Sequence, residues 1–253
     1  MKQIVKALCL AALFLGLGTA AQAQFHQSVY LNGNIPTGDF ASDASAGPTL
    51  HPSYTAGVPL TYEQVGKDAS VSFGIGYRAS YAIEIDETVG SVSPFANIDI
   101  LWNTIGGAWG DKYDDAYFSS PTYFNIPLMA GVNFTYIEVA ENITPFGEFA
   151  LGTDLLWITA EGTDKLPDGS NYRFAYKPTF AFSWMIGAGA FFGQHISAGL
   201  YYYGLGKHTI DYTDGTLDDN TYARTQLTTN DAAGKGRQQR TVGSFMLRIG
   251  FHF

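Results

Sequence analysis

The chain is 253 residues long and carries 23 Asp and Glu against 14 Lys and Arg, a formal net charge of −9, with aromatics at 15%. An acidic balance of this size argues against nucleic acid or an anionic lipid surface as partner. The one cysteine, Cys9, lies in an N-terminal leader, which excludes a disulfide scaffold, a thiol nucleophile and a cysteine metal site from the remainder.

The leader is read from Lys2 and Lys6, an apolar core over 7–17 and the small-x-small site Ala21-Gln22-Ala23. Cleavage there leaves a single domain, 24–253, starting at Gln24. No later stretch holds the roughly 20 uninterrupted apolar residues of a membrane helix, so a membrane can be crossed only by strands of roughly ten alternating residues. The first such segment, 25–35, sets Val29, Leu31 and Ile35 against His26, Ser28, Tyr30, Asn32 and Asn34, and Pro36-Thr37-Gly38-Asp39 ends it.

Residues 70–85 alternate throughout, with Val71, Phe73, Ile75 and Tyr77 on one face and Ser72, Gly74, Gly76 and Arg78 on the other. A turn over 86–90 leads to 91–103, where Ile98, Ile100 and Trp102 oppose Asn97, Asp99 and Asn103. After a long loop, 122–136 sets Phe124, Ile126 and Leu128 against Asn125, Pro127 and Met129. Pro127 has no amide hydrogen, which predicts a bulge or a missing ladder bond. In 144–158, Phe149, Leu151 and Trp157 face away from Glu148, Gly152 and Asp154; 160–176 then reads as loop around Leu166-Pro167-Asp168-Gly169. The segments 177–192 and 195–210 make a tight hairpin about Gly193-Gln194. A polar stretch, 211–239, precedes the last strand.

That last strand carries Phe245, Leu247, Ile249, Phe251 and Phe253 on one face and Ser244, Met246, Arg248, Gly250 and His252 on the other, and it stops on an aromatic. The fold class expected is all-β: a closed antiparallel transmembrane barrel with apolar residues toward lipid and polar ones toward the lumen. Strand-like residues at 54–64 would make nine strands, whereas single-chain bacterial barrels have an even number with both ends in the periplasm. Counting back from Phe253, connections alternate long and short. The stretch 36–69 then becomes one outer excursion and the count is eight, or ten if 51–65 adds a hairpin to the wall.

The leader, Tyr123-Phe124-Asn125-Ile126-Pro127-Leu128-Met129-Ala130-Gly131, Pro145-Phe146-Gly147-Glu148-Phe149-Ala150-Leu151-Gly152, Tyr202-Tyr203-Gly204-Leu205-Gly206-Lys207-His208 and the Phe-terminated end carry a further reading. In these motifs the chain resembles the small outer-membrane β-barrel family of Gram-negative bacteria, over essentially its whole mature length. The resemblance implies an exported outer-membrane protein in contact with lipid and lipopolysaccharide. It also implies recognition of Phe245, Leu247, Ile249, Phe251 and Phe253 by the barrel-assembly machinery. It implies no one activity, because the family is functionally mixed.

The charges expected inside are Arg78, Glu84, Asp99, Glu148, Asp154, Lys207 and Arg248. Glu148 and Asp154 share a face and have the chemistry of an acid/base pair. A lumen of eight strands is only wide enough for side chains to fill, however, and charges held there must pair, so ion pairing is favoured over catalysis. A hairpin centred on Thr88-Val89 would set Arg78 opposite Asp99, with Arg248 and Glu148 as a second bridge. His26 and His252 are expected as neighbours at the periplasmic rim, with no third ligand for a metal. His208 with Asp211 is the one hint of rim catalysis. Acidic residues concentrate in the outer loops, among them Asp111, Asp114, Asp115, Asp214, Asp218 and Asp219, without the spacing of a calcium loop. They can share divalent cations with lipopolysaccharide phosphates. Expected, therefore, is a barrel without cofactor or enzymatic activity, with a structural or surface-interaction role through its loops. A narrow porin-like channel is the alternative, a rim enzyme the third, and the surface ligand is unknown.

Overall fold

The computed structural model describes residues 25–42, 69–86, 89–104, 122–159, 161–165, 171–210, 216–217 and 238–253. The leader with its cleavage site, the segment 51–65, Asp211 and most of the acidic loop residues lie outside these.

The described residues form twelve strands: β1 Phe25–Gly38, β2 Ser72–Tyr81, β3 Ile83–Asp86, β4 Gly90–Thr104, β5 Thr122–Tyr136, β6 Ile143–Ile158, β7 Glu161–Lys165, β8 Asn171–Ala175, β9 Thr179–Phe192, β10 Ile196–Ile210, β11 Thr216–Leu217 and β12 Gln238–His252. One sheet runs β2-β1-β12-β10-β9-β6-β5-β4-β3, and β2 pairs with β4 as well, so the sheet closes on itself. Because β2 and β3 are successive halves of one wall, interrupted at Ala82 and both paired with β4, the barrel has eight walls. Every pairing is antiparallel, and first and last strands meet from Ser28–His252 to Gly38–Val242. Closure removes the free edges an open sheet would present.

Two local expectations are corrected. The stretch 160–176 is not all loop: β7 and β8 form a hairpin there, and β11 joins it in a separate three-stranded sheet at the outer end. β1 also runs through Pro36 to Gly38, with Pro36 opposite Ser244. Pro127 leaves a gap rather than a bulge. In the β4–β5 ladder pairing stops at Ile98–Leu128 and resumes in the same offset at Leu101–Asn125.

Inward positions hold Tyr30, Asn32, Asn34, Arg78, Asn97, Asp99, Asn125, Glu148, Asp154, Met185, Tyr201, Tyr203, Met246 and Arg248, all buried. Outward positions are apolar and open, for instance Phe73 at 68%, Phe180 at 70% and Leu200 at 69% exposure. Some glycines on the inner face make room for large neighbours. A Cβ at Gly187 would overlap the Tyr201 ring, and one at Gly76 would overlap the Asp99 carboxylate. At the outer end the short 3-10 turn Asp39–Ala41 buries Phe40 against Tyr123, with ring centroids 4.9 Å apart. Tyr176, Ile158, Leu205 and Ile210 belong to the same buried cluster, so the outer mouth carries an apolar stopper.

Candidate functional site

Below that stopper the lumen is crossed by three polar tiers, each built from strands that are distant in sequence. In the tier nearest the turn end, Arg78 on β2 meets Glu148 on β6 through a two-pronged contact, Nη1–Oε2 at 2.6 Å and Nη2–Oε1 at 2.8 Å. The two side chains are 6% and 0% exposed. Asn133 donates to Glu148 at 3.2 Å, and the guanidinium lies 3.9 Å from the Phe95 ring centre and 5.1 Å from that of Tyr30. Such bidentate, charge-assisted pairs are among the stronger and more directional polar contacts.

In the middle tier, Arg248 on β12 donates from Nη2 to both Asp99 oxygens at 2.9 Å, and from Nε to Asn32 at 2.9 Å. Asp99 also accepts from Asn32 at 3.1 Å, Asn97 at 2.7 Å and Tyr203 at 2.9 Å, while the rings of Tyr30 and Tyr201 flank the Arg248 guanidinium at 4.6 Å each. The third tier lies under the stopper. His208 Nε2 sits 3.0 Å from Asp154 Oδ2, Thr179 Oγ1 meets His208 Nδ1 at 2.8 Å, and Asn125 donates to Asp154 at 2.6 Å.

Arg78, Asp99, Glu148, Asp154 and Arg248 are thus all inside, but the expected partners are exchanged. Arg78 does not pair with Asp99. The β2–β4 register sets Arg78 opposite Asn97 and Asp99 opposite Gly76, two residues from the offset inferred for a turn at Thr88-Val89. The bare Gly76 leaves space for the Asp99 carboxylate, and Arg248 reaches it there from the β12 wall. Arg248 therefore does not bridge to Glu148, which is taken by Arg78.

Two charges expected inside are exposed. Glu84 keeps the parity of Arg78, opposite Ser91 in an unchanged offset, but lies at the turn end of the wall. Lys207 is exposed because the β10–β12 register shifts between Gly204 and Gly206, where Gly206 has φ +91°, and this bulge turns His208 inward in its place. His208 then meets Asp154, while its expected neighbour Asp211 lies outside the described residues. The inward asparagines face the lumen as their strand positions predict, but their work as clamps on Asp99, Glu148 and Asp154 shows only once the walls are assembled. At the turn end His26 and His252 line one pocket, with His252 sharing hydrogen bonds with Ser28 at 2.8 Å and Ser197 at 2.7 Å.

Outside, the walls present Val29, Leu31, Ile75, Ile98, Leu128, Leu151, Phe182, Ile186, Leu247 and Ile249, each more than a third exposed. Aromatic pairs lie among them, Phe124–Trp157 tilted at 5.7 Å, Trp184–Tyr202 tilted at 5.5 Å and Tyr202–Phe245 edge-on at 4.9 Å. At about 25 cal/mol per Å² of apolar surface, a continuous belt of this kind is stable against hydrocarbon rather than water, and a charged interior inside an apolar wall is the inverse of a soluble sandwich. The chain is a transmembrane β-barrel.

No protein-family model and no curated protein matches the chain by sequence. Among solved structures it is similar to Ail, the attachment invasion locus protein of Yersinia pestis, at 11% identity and TM-score 0.40, covering 91% of this chain and 98% of that one. It is similar to a major outer membrane protein of Thermus thermophilus at 10% identity and TM-score 0.44, covering 90% and 99%. The outer membrane protein OprG of Pseudomonas aeruginosa matches at 11% identity and TM-score 0.37, covering 90% and 94%.

Proposed function

We propose that this barrel resides in the outer membrane of a Gram-negative bacterium as a closed, non-enzymatic wall protein. Its short turns face the periplasm, and its long acidic connections carry a structural or surface-interaction role outside. The observation that carries the reading is the lumen. Two ion pairs with side chains 0–6% exposed, Arg78–Glu148 and Arg248–Asp99, cross it in successive tiers, and Phe40 and Tyr123 close the outer end. An ion passing through would have to separate buried charges from their partners, at several kcal/mol per charge. The loop carboxylates suit divalent-cation bridges to lipopolysaccharide phosphates. The outward row Phe245, Leu247, Ile249, Phe251 and Phe253 suits recognition by the barrel-assembly machinery during insertion.

Single-channel recording in planar bilayers tests the closed lumen. The refolded protein is expected to give no resolved conductance steps at voltages where an open porin conducts. Stable, repeatable steps from the unmodified barrel would favour a narrow solute channel instead.

A further inference from the structure

The turn end of the lumen is not filled like the outer end. It opens into a pocket of about 500 Å³, inside the usual size range for sites that hold small molecules. Its rim carries three imidazoles, His26, His195 and His252, and its walls carry hydroxyls and two amides, among them Ser28, Ser93, Asn133 and Gln194. Among the described residues no Asp or Glu side chain lines it. The His252 ring stands edge-on to Tyr30 at 6.1 Å and to Phe191 at 5.0 Å, held between the hydroxyls of Ser28 and Ser197.

Arg78 and Tyr30 belong to this lining and are 5% and 2% exposed. Arg78 spends both terminal nitrogens on Glu148, which leaves the Nε edge of the guanidinium. That Nε and the Tyr30 hydroxyl are buried without any hydrogen-bond partner among the described residues, and of the orphaned buried atoms they are the two whose residues line the pocket. Leaving such groups unpaired is costly. Both are donors, so what completes them is an acceptor. One donor is cationic, with its terminal nitrogens paired to Glu148, and among the described residues the lining holds no Asp or Glu side chain, although the main-chain end at Phe253 belongs to it.

We propose that this vestibule binds a small oxyanion-bearing solute of the periplasm, a carboxylate or a phosphate, with one oxygen on Arg78 Nε and the Tyr30 hydroxyl and the rest of the group among Ser28, Asn133 and His252. The site is separate from the outer loops and works in a closed barrel, because the Arg78–Glu148 tier forms its floor.

Arg248 supplies an internal control, since its Nε already donates to Asn32. The full barrel, refolded in detergent micelles with ¹⁵N-arginine, is titrated with inorganic phosphate and, separately, with acetate, against chloride at matched ionic strength. The expected result is a saturable shift of the Arg78 Nε–H resonance with phosphate, acetate or both, with the Arg248 Nε–H resonance unmoved. A response to one of the two anions alone assigns the ligand to that class. Tyr30→Phe, which keeps the ring and loses the donor, is expected to weaken binding about ten-fold. No saturation with either anion overturns the proposal. So does a linear drift shared by both arginines and by the chloride control, or an affinity that Tyr30→Phe leaves unchanged.

Discussion

Replacing Glu148 by alanine removes one half of the Arg78–Glu148 pair and leaves a guanidinium whose side chain is 6% exposed without its counter-charge. Breaking a buried pair from one side costs about 3–5 kcal/mol, because the surviving charge stays desolvated. The Phe95 ring, 3.9 Å from the Arg78 carbon, makes its cation–π contact before and after the change and so leaves the difference unaltered. Asn133 also loses its acceptor, so the expected net loss stays within that range, about 3–5 kcal/mol. The companion variant Arg78→Met with Glu148→Leu removes both charges and fills the space with apolar atoms. It is expected to lie within about 1 kcal/mol of the unmodified barrel or above it. Urea unfolding in lipid vesicles, followed by tryptophan fluorescence and checked by heat-modifiable gel mobility, gives the three free energies. If the double variant is as unstable as the single one, the loss comes from packing and the electrostatic account of the lumen fails.

Three further outcomes follow from the same tiers. His208→Ala takes one donor from the buried Asp154 Oδ2, leaving that of Asn125, and should lose about 1–3 kcal/mol, whereas Lys207→Ala next to it, exposed on the far side of the bulge, should stay within about 0.5 kcal/mol; equal effects in the unfolding assay would count against the bulge assignment. Gly76→Val places a side chain where the Asp99 carboxylate sits, so it should lose at least the roughly 1–3 kcal/mol typical of overpacking and lower the folded fraction seen on gels. Leu200→Arg puts a charge on a wall position 69% exposed to the outside and should cost about 2–4 kcal/mol in vesicles if that position lies near the bilayer midplane, a loss that disappears if the face is not in lipid.

The legible part of the fold was local. Orientation within a strand depends only on whether a residue number is odd or even, so Val71, Phe73 and Ile75 could be sent outward and Arg78, Asp99, Glu148 and Arg248 inward without knowing any neighbour. The closed eight-walled count followed from the alternation of long and short connections. Lys207 and His208 depart from expectation where that rule breaks: a bulge adds one residue, and nothing in Gly204-Leu205-Gly206 states whether its glycines continue the ladder or interrupt it. Glu84 keeps its parity and is exposed because it stands at the turn end of its wall.

What the amino-acid sequence determined by itself, then, was that this chain makes strands, that their two faces differ in polarity, and that the polar face carries charges needing partners. Which charge meets which was decided only by tertiary structure. An offset of two residues in one hairpin moved Arg78 from Asp99 to Asn97, and the pairing of β1 with β12 brought Arg248 to Asp99 across residues far apart in the chain. Side-chain direction is a property of the local backbone, but contact across a lumen is set by register summed around a closed ring of eight walls.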